Sequence, residues 1–374
     1  MADIQSAIRA LSGRNTRIVK EVATRKAMRY ATDPDALKRD IAQFKAHFQK
    51  QLDIFQGLIR GIWGEKRPKT PGKKEYVKYT QQYKSRAIVN FEKGLITVET
   101  LDEKDPRASL QKAIVSTLLT PHDPSAVDLY SDKEIEYTGE PYLYGEVKDH
   151  DGKNIRWRWR AERFARYLVA HNLKTRPSAL KEGPQTVYYV HMTMVKSHLD
   201  VRAEKYRSQV KSQAKRFGVS SNLVYAIMET ESSFNPYAVS PAPAFGLMQI
   251  VPTSAGRDVW RFLKNEDGIP SRQYLFNAKN NIEMGTAYLH LLDSRYLYPI
   301  KDPVSREYCV IAAYNTGSGN VLKTFSRDRN KAADIINRMT PNDVYEKLRG
   351  SLSSQEARRY VLKVTEAKKR YVRL

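Results

Sequence analysis

Glu231 closes a short apolar segment, and its residue type and position suit general acid catalysis. Residues 226–236 read AIMETESSFNP, so this acid ends an apolar run before the chain breaks at a proline. A carboxyl group beside buried apolar groups retains its proton near neutral pH, which a general acid must do. Two later segments, GLMQ at 246–249 and AYNTG at 313–317, carry polar residues among small and apolar ones. The pattern predicts an enzyme whose acid is Glu231.

Helical spacing selects Glu231 over its neighbour Glu229. Leu223, Ile227 and Glu231 follow one another at intervals of four residues, so a helix places them on one face. That face is apolar and is expected to pack inward, while Glu229 points elsewhere. A solvated surface glutamate at a helix end is an equally good interpretation of the spacing alone.

The neighbouring residues predict where this helix begins and ends. Ser221 or Asn222 is available as the N-cap. Pro236 ends the helix near Asn235, because the residue before a proline disfavours helical geometry. Glu231 is therefore expected at a helix C-terminus, where the helix dipole and partial desolvation both raise the pKa of its carboxyl group. Such an acid can protonate a glycosidic oxygen.

Composition limits the class of protein. At 374 residues the chain is long enough for two domains, and its hydrophobic fraction of 41% is ordinary for a globular protein. The single cysteine, Cys309, excludes an intramolecular disulfide and a zinc–thiolate cluster, and it is predicted to be a small buried core residue. No apolar stretch approaches the length that spans a bilayer. The first residues lack a secretory signal pattern, so the protein is either cytosolic or begins after a removed export segment.

The net charge of +23 is distributed along the whole chain. There are 36 basic and 25 acidic residues before Val201, and 28 basic and 16 acidic residues from there on. A nucleic-acid binder more often shows a basic stripe or a recognised motif. A spread excess fits a protein that works against an extended polyanion or an acidic surface.

Three segments of different character follow one another along the chain. Residues 1–75 are predicted to be polar helices, because residues 35–44 have helical spacing, and to end in a Pro- and Gly-containing linker at 67–74. Residues 76–200 are predicted to form a mixed α/β domain and residues 201–374 an all-helical domain, so the fold class is α+β. The elements predicted for the middle domain are hairpins over 86–101 and 142–157, a strand over 187–195 and a helix over 108–119. The helices predicted for the last domain are 203–217, 221–233, 279–297, 304–315, 331–337 and 354–370.

The helical segment contains ESSFNP at 231–236, GLMQ at 246–249, AYN at 313–315 followed by Gly317 and Gly319, and EARRYV at 356–361. These four motifs, in this order, resemble those of the soluble-lytic-transglycosylase and goose-type lysozyme family. YVKYT at 76–80 and VDLYSD at 127–132 are similar to the amino-terminal domain of the membrane-bound lytic murein transglycosylase C family. The resemblance implies a lysozyme-like catalytic domain that cleaves peptidoglycan between MurNAc and GlcNAc.

The resemblance also implies a mechanism with Glu231 as the sole acid/base. Glu231 protonates the glycosidic oxygen and then accepts the proton of the MurNAc 6-hydroxyl, leaving a 1,6-anhydro end. This mechanism needs no metal and no cofactor, and no second acid is visible in the motif segments near Glu231. The residues that the resemblance assigns to the substrate side are Ser240, Gln249, Tyr314, Asn315, Glu356 and Tyr360.

Structural roles are rival interpretations for several of these residues. Tyr314 would orient Glu231 or the N-acetyl group, whereas Asn315 could cap a turn and Tyr360 could be a core tyrosine. The chain departs from the family at the loop PAPAF, residues 241–245, and at Val251, where many relatives have methionine. These departures concern the shape of the sugar subsites rather than the chemistry.

The sequence is also compatible with other functions and locations. A goose-type muramidase that uses water as the nucleophile is the alternative within enzymes, and a non-catalytic cationic wall-binding protein is the alternative outside them. Charge alone would suggest a nucleic-acid binder, which we do not expect. Peptidoglycan lies outside the cytoplasmic membrane, so the resemblance implies a location in the periplasm, associated with the outer membrane. We expect the protein to be a monomer. The family's lipid anchor is attached at an amino-terminal cysteine, and the given sequence does not begin with one. We therefore expect either that the sequence is trimmed from a longer precursor or that this protein is unanchored.

Overall fold

The computed structural model describes residues 34–65, 68–180, 183–372 and 374. The polar helices predicted for residues 1–33 lie outside the described residues, whereas residues 35–44 fall within helix α1 (Pro34–Trp63). Residues 68–74 form no helix or strand, as expected for the predicted linker.

Five strands form one antiparallel sheet in the described part of the chain, in the order β1-β2-β3-β5-β4. The strands are β1 (Glu75–Thr80), β2 (Ser85–Asn90), β3 (Leu95–Thr100), β4 (Lys174–Leu180) and β5 (Gly183–Thr193). The first predicted hairpin is confirmed: Asn90 pairs with Leu95, and Gly94 takes a φ of +62° that glycine tolerates. The strand predicted over 187–195 is confirmed as most of β5.

The second predicted hairpin, over 142–157, is wrong. This stretch forms turns with a single isolated bridge between Lys148 and Asn154. The Asp149 carboxylate accepts the backbone N–H groups of Asp151 and Lys153, at 3.0 and 2.9 Å. Because these local bonds close a compact turn, the apolar side chains on either side reach the core without pairing as strands.

The sheet is covered by helices on both faces. Helices α2 (Pro106–Leu118) and α3 (Arg158–His171) pack on the face that includes Tyr76 and Val89. Helix α1 packs Phe55, Ile59 and Trp63 on the opposite face, against Val77, Tyr79 and Val187. Alternation along a strand explains why Tyr76 and Val77 serve different layers.

The chain from His198 onward is helical apart from its loops, so the predicted order of a mixed domain and then a helical one is confirmed. The helices are α4 (His198–Lys205), α5 (Arg207–Phe217), α6 (Ser221–Ser232), α7 (Ala255–Lys264), α8 (Arg272–Phe276), α9 (Ala278–Leu291), α10 (Pro303–Thr316), α11 (Ser318–Lys323), α12 (Arg329–Asn337), α13 (Pro341–Ser351) and α14 (Gln355–Arg370). The helix predicted over 203–217 is two helices that meet at Tyr206. Cys309 is buried in the core, as predicted. None of the described helices combines the length and apolar character that crossing a membrane requires.

A buried ion pair joins the two parts of the chain. Arg202 of α4 pairs with Glu146 from the turn region, and both side chains are almost inaccessible, at 2% and 0% exposure. Lys205 also binds Glu146, at 2.6 Å, and the Arg202 guanidinium lies 3.8 Å from the centre of the Phe91 ring. Two cations therefore depend on one buried carboxylate.

We expect Glu146→Ala to destabilise the protein by about 3–5 kcal/mol, because it leaves two cations in a buried site without their counter-charge. Thermal and urea unfolding measure this loss. Glu162→Ala is the matched control, since Glu162 is partly exposed and pairs with Arg158 at 2.8 Å on the surface. The control should cost less than about 1 kcal/mol. Equal losses for the two variants would contradict the role given to Glu146.

Candidate active site

Glu231 lies in the last turn of α6 and is buried, with 5% of its surface exposed. Leu223 and Ile227 on the same face are also buried, as the spacing predicts. Glu229 points away and is bound by Arg370 and by the hydroxyl of Tyr371, the latter at 2.6 Å. The choice of Glu231 as the inward acid therefore agrees with the packing.

The ends of α6 differ in detail from the prediction. The N-cap position is Ser220, and its side chain makes no capping hydrogen bond, so capping by Ser221 or Asn222 is wrong. The helix ends at Ser232, because Ser233 and Phe234 take left-handed φ angles of 50° and 58°. The Ser232 hydroxyl bonds the carbonyls of Met228 and Leu247, at 2.9 and 2.7 Å, which ties this reversal to the next motif.

The surroundings of Glu231 set its acidity. Burial raises the pKa of its carboxyl group, and the nearby negative charge of Glu356 raises it further. The ammonium group of Lys73, 3.4 Å from Oε2, and the hydroxyl of Tyr360 lower this pKa in part. The net effect is a raised pKa, so the group retains its proton to a higher pH than an ordinary glutamate.

Gln249 presents a free hydrogen-bond acceptor. Its amide nitrogen donates to the carbonyls of Ala238 and Gly246, at 3.1 and 3.0 Å. Its Oε1 atom is buried and has no hydrogen-bond partner among the described residues. The backbone takes a φ of 48°, a left-handed conformation that is uncommon for a residue with a side chain. The side chain is therefore held rigidly with one acceptor available.

Tyr314 and Asn315 lie in the last turn of α10. The Tyr314 hydroxyl donates to the carbonyl of Met248 at 2.8 Å, and its ring lies 5.5 Å from that of Tyr288. Burial and the charge of Glu231 both raise the pKa of Tyr314, so this ring is close to the acid. Asn315 is half-buried, and its side chain makes no hydrogen bond within the described ranges.

The other residues expected at the substrate side occupy different environments. The buried Ser240 hydroxyl donates to the Ala242 carbonyl and accepts the Ala244 N–H at 3.2 Å, so it braces its own loop. Glu356 is exposed in the first turn of α14. Tyr360, one turn later, is buried, and none of the described groups gives its hydroxyl a hydrogen bond of normal geometry.

Lys73 is the site residue that the sequence reasoning missed. The sequence predicts a linker at this position, yet the Lys73 ammonium group contacts Glu231, 158 residues further along the chain. Periodicity reports only neighbours within one element, so it gives no signal for such a contact. In the described residues no group of three or more His, Cys, Asp or Glu side chains could hold a metal ion.

Family models match two consecutive parts of the chain. Residues 37–205 match the model described as the membrane-bound lytic murein transglycosylase C, N-terminal domain, and residues 208–337 match the transglycosylase SLT domain. Among solved structures, the chain is similar to an inactive mutant of the lytic transglycosylase Slt from Pseudomonas aeruginosa, at 28% identity and a TM-score of 0.34. It is also similar to the 70 kDa soluble lytic transglycosylase of Escherichia coli, at 26% identity and a TM-score of 0.35. Each match covers 44% of this chain and 23% of the other.

Relatives named membrane-bound lytic murein transglycosylase C match over most of the chain. The protein of Klebsiella pneumoniae subsp. pneumoniae is 51% identical over 327 residues, which are 86% of this chain and 89% of the relative. Those of Photorhabdus laumondii and Yersinia pestis are 50% and 48% identical, over 86% and 87% of this chain and 90% of each relative. At this identity and coverage, the protein belongs to the membrane-bound lytic murein transglycosylase C family.

Proposed function

We propose that the chain cleaves the glycan strands of peptidoglycan as a lytic transglycosylase, with Glu231 as its one acid and base. The observation that carries the proposal is the burial of the Glu231 carboxyl group, because burial raises its pKa. A raised pKa keeps a carboxylic acid protonated until it meets the bond that it must protonate. Membership of the family supplies the substrate class and the reaction class.

The proposed reaction has two proton transfers through one carboxyl group. Glu231 gives its proton to the oxygen between MurNAc C1 and GlcNAc C4 as the C1–O bond breaks. The MurNAc 6-hydroxyl then attacks C1 and returns a proton to the Glu231 carboxylate, so a 1,6-anhydro ring forms and the enzyme is regenerated. The nucleophile comes from the substrate, so the reaction requires no enzyme carboxylate in that role.

The surrounding residues suit the handling of a sugar. We propose that the Gln249 Oε1 atom accepts a hydrogen bond from a substrate N–H or O–H group, because it is buried without a partner in the described part of the chain. Tyr360 offers a further polar group beside Glu231. We propose that Asn315 and the exposed Glu356 contact the sugar as well. Tyr314 positions the loop that carries Met248 and Gln249. Ser240 maintains the adjoining loop by accepting the Ala244 N–H, and we propose that it supports substrate binding through that loop.

We expect Glu231→Gln to reduce peptidoglycan cleavage by roughly 10²–10⁴-fold, which is the usual contribution of a positioned acid or base. The substitution removes the titrating proton and keeps the shape of the side chain. Release of soluble muropeptides from purified sacculi measures the effect.

Glu229→Gln is the matched control, because it makes the same change two residues away on a side chain that binds Arg370 and Tyr371. It should leave cleavage within about twofold of the unmodified enzyme, as expected for a group without a role in the transition state. Substantial activity in Glu231→Gln would refute the acid role.

We expect the released fragments to end in 1,6-anhydro-MurNAc rather than in reducing MurNAc. Mass spectrometry distinguishes the two, because the anhydro product is lighter by one water. A digest dominated by reducing ends would favour the hydrolytic muramidase instead and would contradict the intramolecular attack.

We also propose that the protein acts as a monomer in the periplasm and that a lipid carried by its precursor attaches it to the outer membrane. The relatives are named membrane-bound, and murein lies outside the cytoplasmic membrane. After fractionation of cells, we expect the protein in outer-membrane fractions, with release by detergent and not by high salt. Release by salt alone would contradict the lipid attachment, and a dimer on gel filtration after extraction would contradict the monomer.

A further inference from the structure

The segment of residues 68–74 is fixed at both of its ends to the mixed α/β part of the chain before residue 201, which we call the amino-terminal half. The Tyr79 hydroxyl donates to the carbonyl of Lys69 at 3.0 Å, and the Lys69 N–H donates back to that hydroxyl at 3.2 Å. At the other end, the Gly72 N–H donates to the backbone carbonyl of Glu75, the first residue of β1, at 2.9 Å. Although the sequence indicates a linker, the segment is a braced strap.

The loop that follows α6, residues 233–239, holds the same strap from the other side. The Asn235 amide donates to the carbonyls of Gly72 and Lys73, at 3.4 and 3.1 Å, and Val239 N–H donates to Gly72 at 3.4 Å. The Asn235 Oδ1 atom accepts the N–H of Tyr237 at 3.0 Å, which fixes the orientation of this amide. Residues 72 and 73 therefore have a defined position relative to Glu231.

Lys73 and Lys74 point to different acids from this strap. Lys74 binds Glu92 of the β2–β3 turn at 2.6 Å, within its own half. Lys73 binds Glu231 at 3.4 Å, and its side chain is 38% exposed, so the ammonium group can reach water as well as the acid. Lys74 therefore binds the strap to the amino-terminal half, whereas Lys73 places its ammonium group beside Glu231.

We propose that Lys73 is a positioning residue of the active site: held by the amino-terminal half, its ammonium group sets the protonation state of Glu231 before a glycan strand binds. The proposal rests on the acid role of Glu231. A positive charge beside the carboxyl group stabilises the carboxylate, so it makes Glu231 a stronger acid than burial alone would leave it. Departure of the partly exposed ammonium group would favour the protonated acid.

The other groups around Glu231 fix the sign of the effect. Lys73 and the Tyr360 hydroxyl lower the pKa of Glu231, whereas burial and the charge of Glu356 raise it. Tyr314, another titratable neighbour, is neutral over the working range because burial raises its own pKa. Among these groups, Lys73 is the positive charge that opposes the effect of burial on this acid.

The test is the pH profile of kcat/KM on a soluble peptidoglycan fragment, for the full chain and its Lys73→Met variant. A general acid works only while protonated, so kcat/KM falls as pH rises through the pKa of Glu231 in the free enzyme. Loss of the Lys73 charge raises that pKa, and the falling limb should move to higher pH. Lys73→Arg keeps the charge and should keep the limb in place.

Two further variants separate this effect from a structural one. Lys74→Met removes a neighbouring charge that faces Glu92. The falling limb of kcat/KM against pH should therefore coincide with that of the unmodified enzyme. Glu356→Gln removes a negative charge near the acid, so its limb should move to lower pH, the opposite direction.

A Lys73→Met profile lowered by the same factor at every pH, without a shift of the limb, would overturn the proposal. Thermal unfolding shows whether each variant is folded. If Lys73→Met is unstable, Lys73→Arg still tests the proposal, because a shift of its falling limb despite the retained charge would contradict it. An active Glu231→Gln enzyme would instead refute the proposed function itself.

Discussion

Desolvation of the Glu231 carboxyl group is the constraint on which the geometry of the site depends. Removing a carboxyl group from water disfavours its charged form, and this keeps an acid protonated when its substrate arrives. The chain meets this requirement by ending α6 directly after the acid and reversing through Ser233 and Phe234 in left-handed conformations. Such conformations are strained for residues with side chains, and the packing of the helical part maintains them. A glutamate exposed to water at the same helix end would have a carboxyl group of ordinary acidity.

Local pattern was enough to predict that Glu231 lies on a buried helix face. Leu223, Ile227 and Glu231 share a face because helix geometry repeats every 3.6 residues, and the burial of all three agrees with that rule. The same reasoning placed the first hairpin, most of β5 and the helical character of the second half. These features depend on neighbours within a few residues, and short-range periodicity records them.

Features fixed by single side chains or by distant contacts could not be predicted in this way. The alternating apolar residues between 142 and 157 suggested a hairpin, but Asp149 closes the turn with side-chain hydrogen bonds. The Gln249 Oε1 atom, which has no hydrogen-bond partner in the described part of the chain, belongs to a residue whose left-handed backbone conformation its residue type disfavours. The contact between Lys73 and Glu231 depends on how two halves pack, and only the folded chain brings them together. Resemblance to a family identified the motif residues but not the strap.

The position of Lys73 also explains why the two halves need a rigid junction. The interaction of two charges changes with their separation, and a shift of one ångström in the strap would alter the acidity of Glu231. The buried pair of Arg202 and Glu146, the Asn235 amide and the bracing of Lys69 by Tyr79 all limit such a shift. A flexible tether would leave the ammonium group in water most of the time. An influence of the amino-terminal half on the Glu231 carboxyl group therefore requires that the strap be fixed in position. The hydrogen bonds from Asn235 and from Tyr79 provide this, one on each side of the strap.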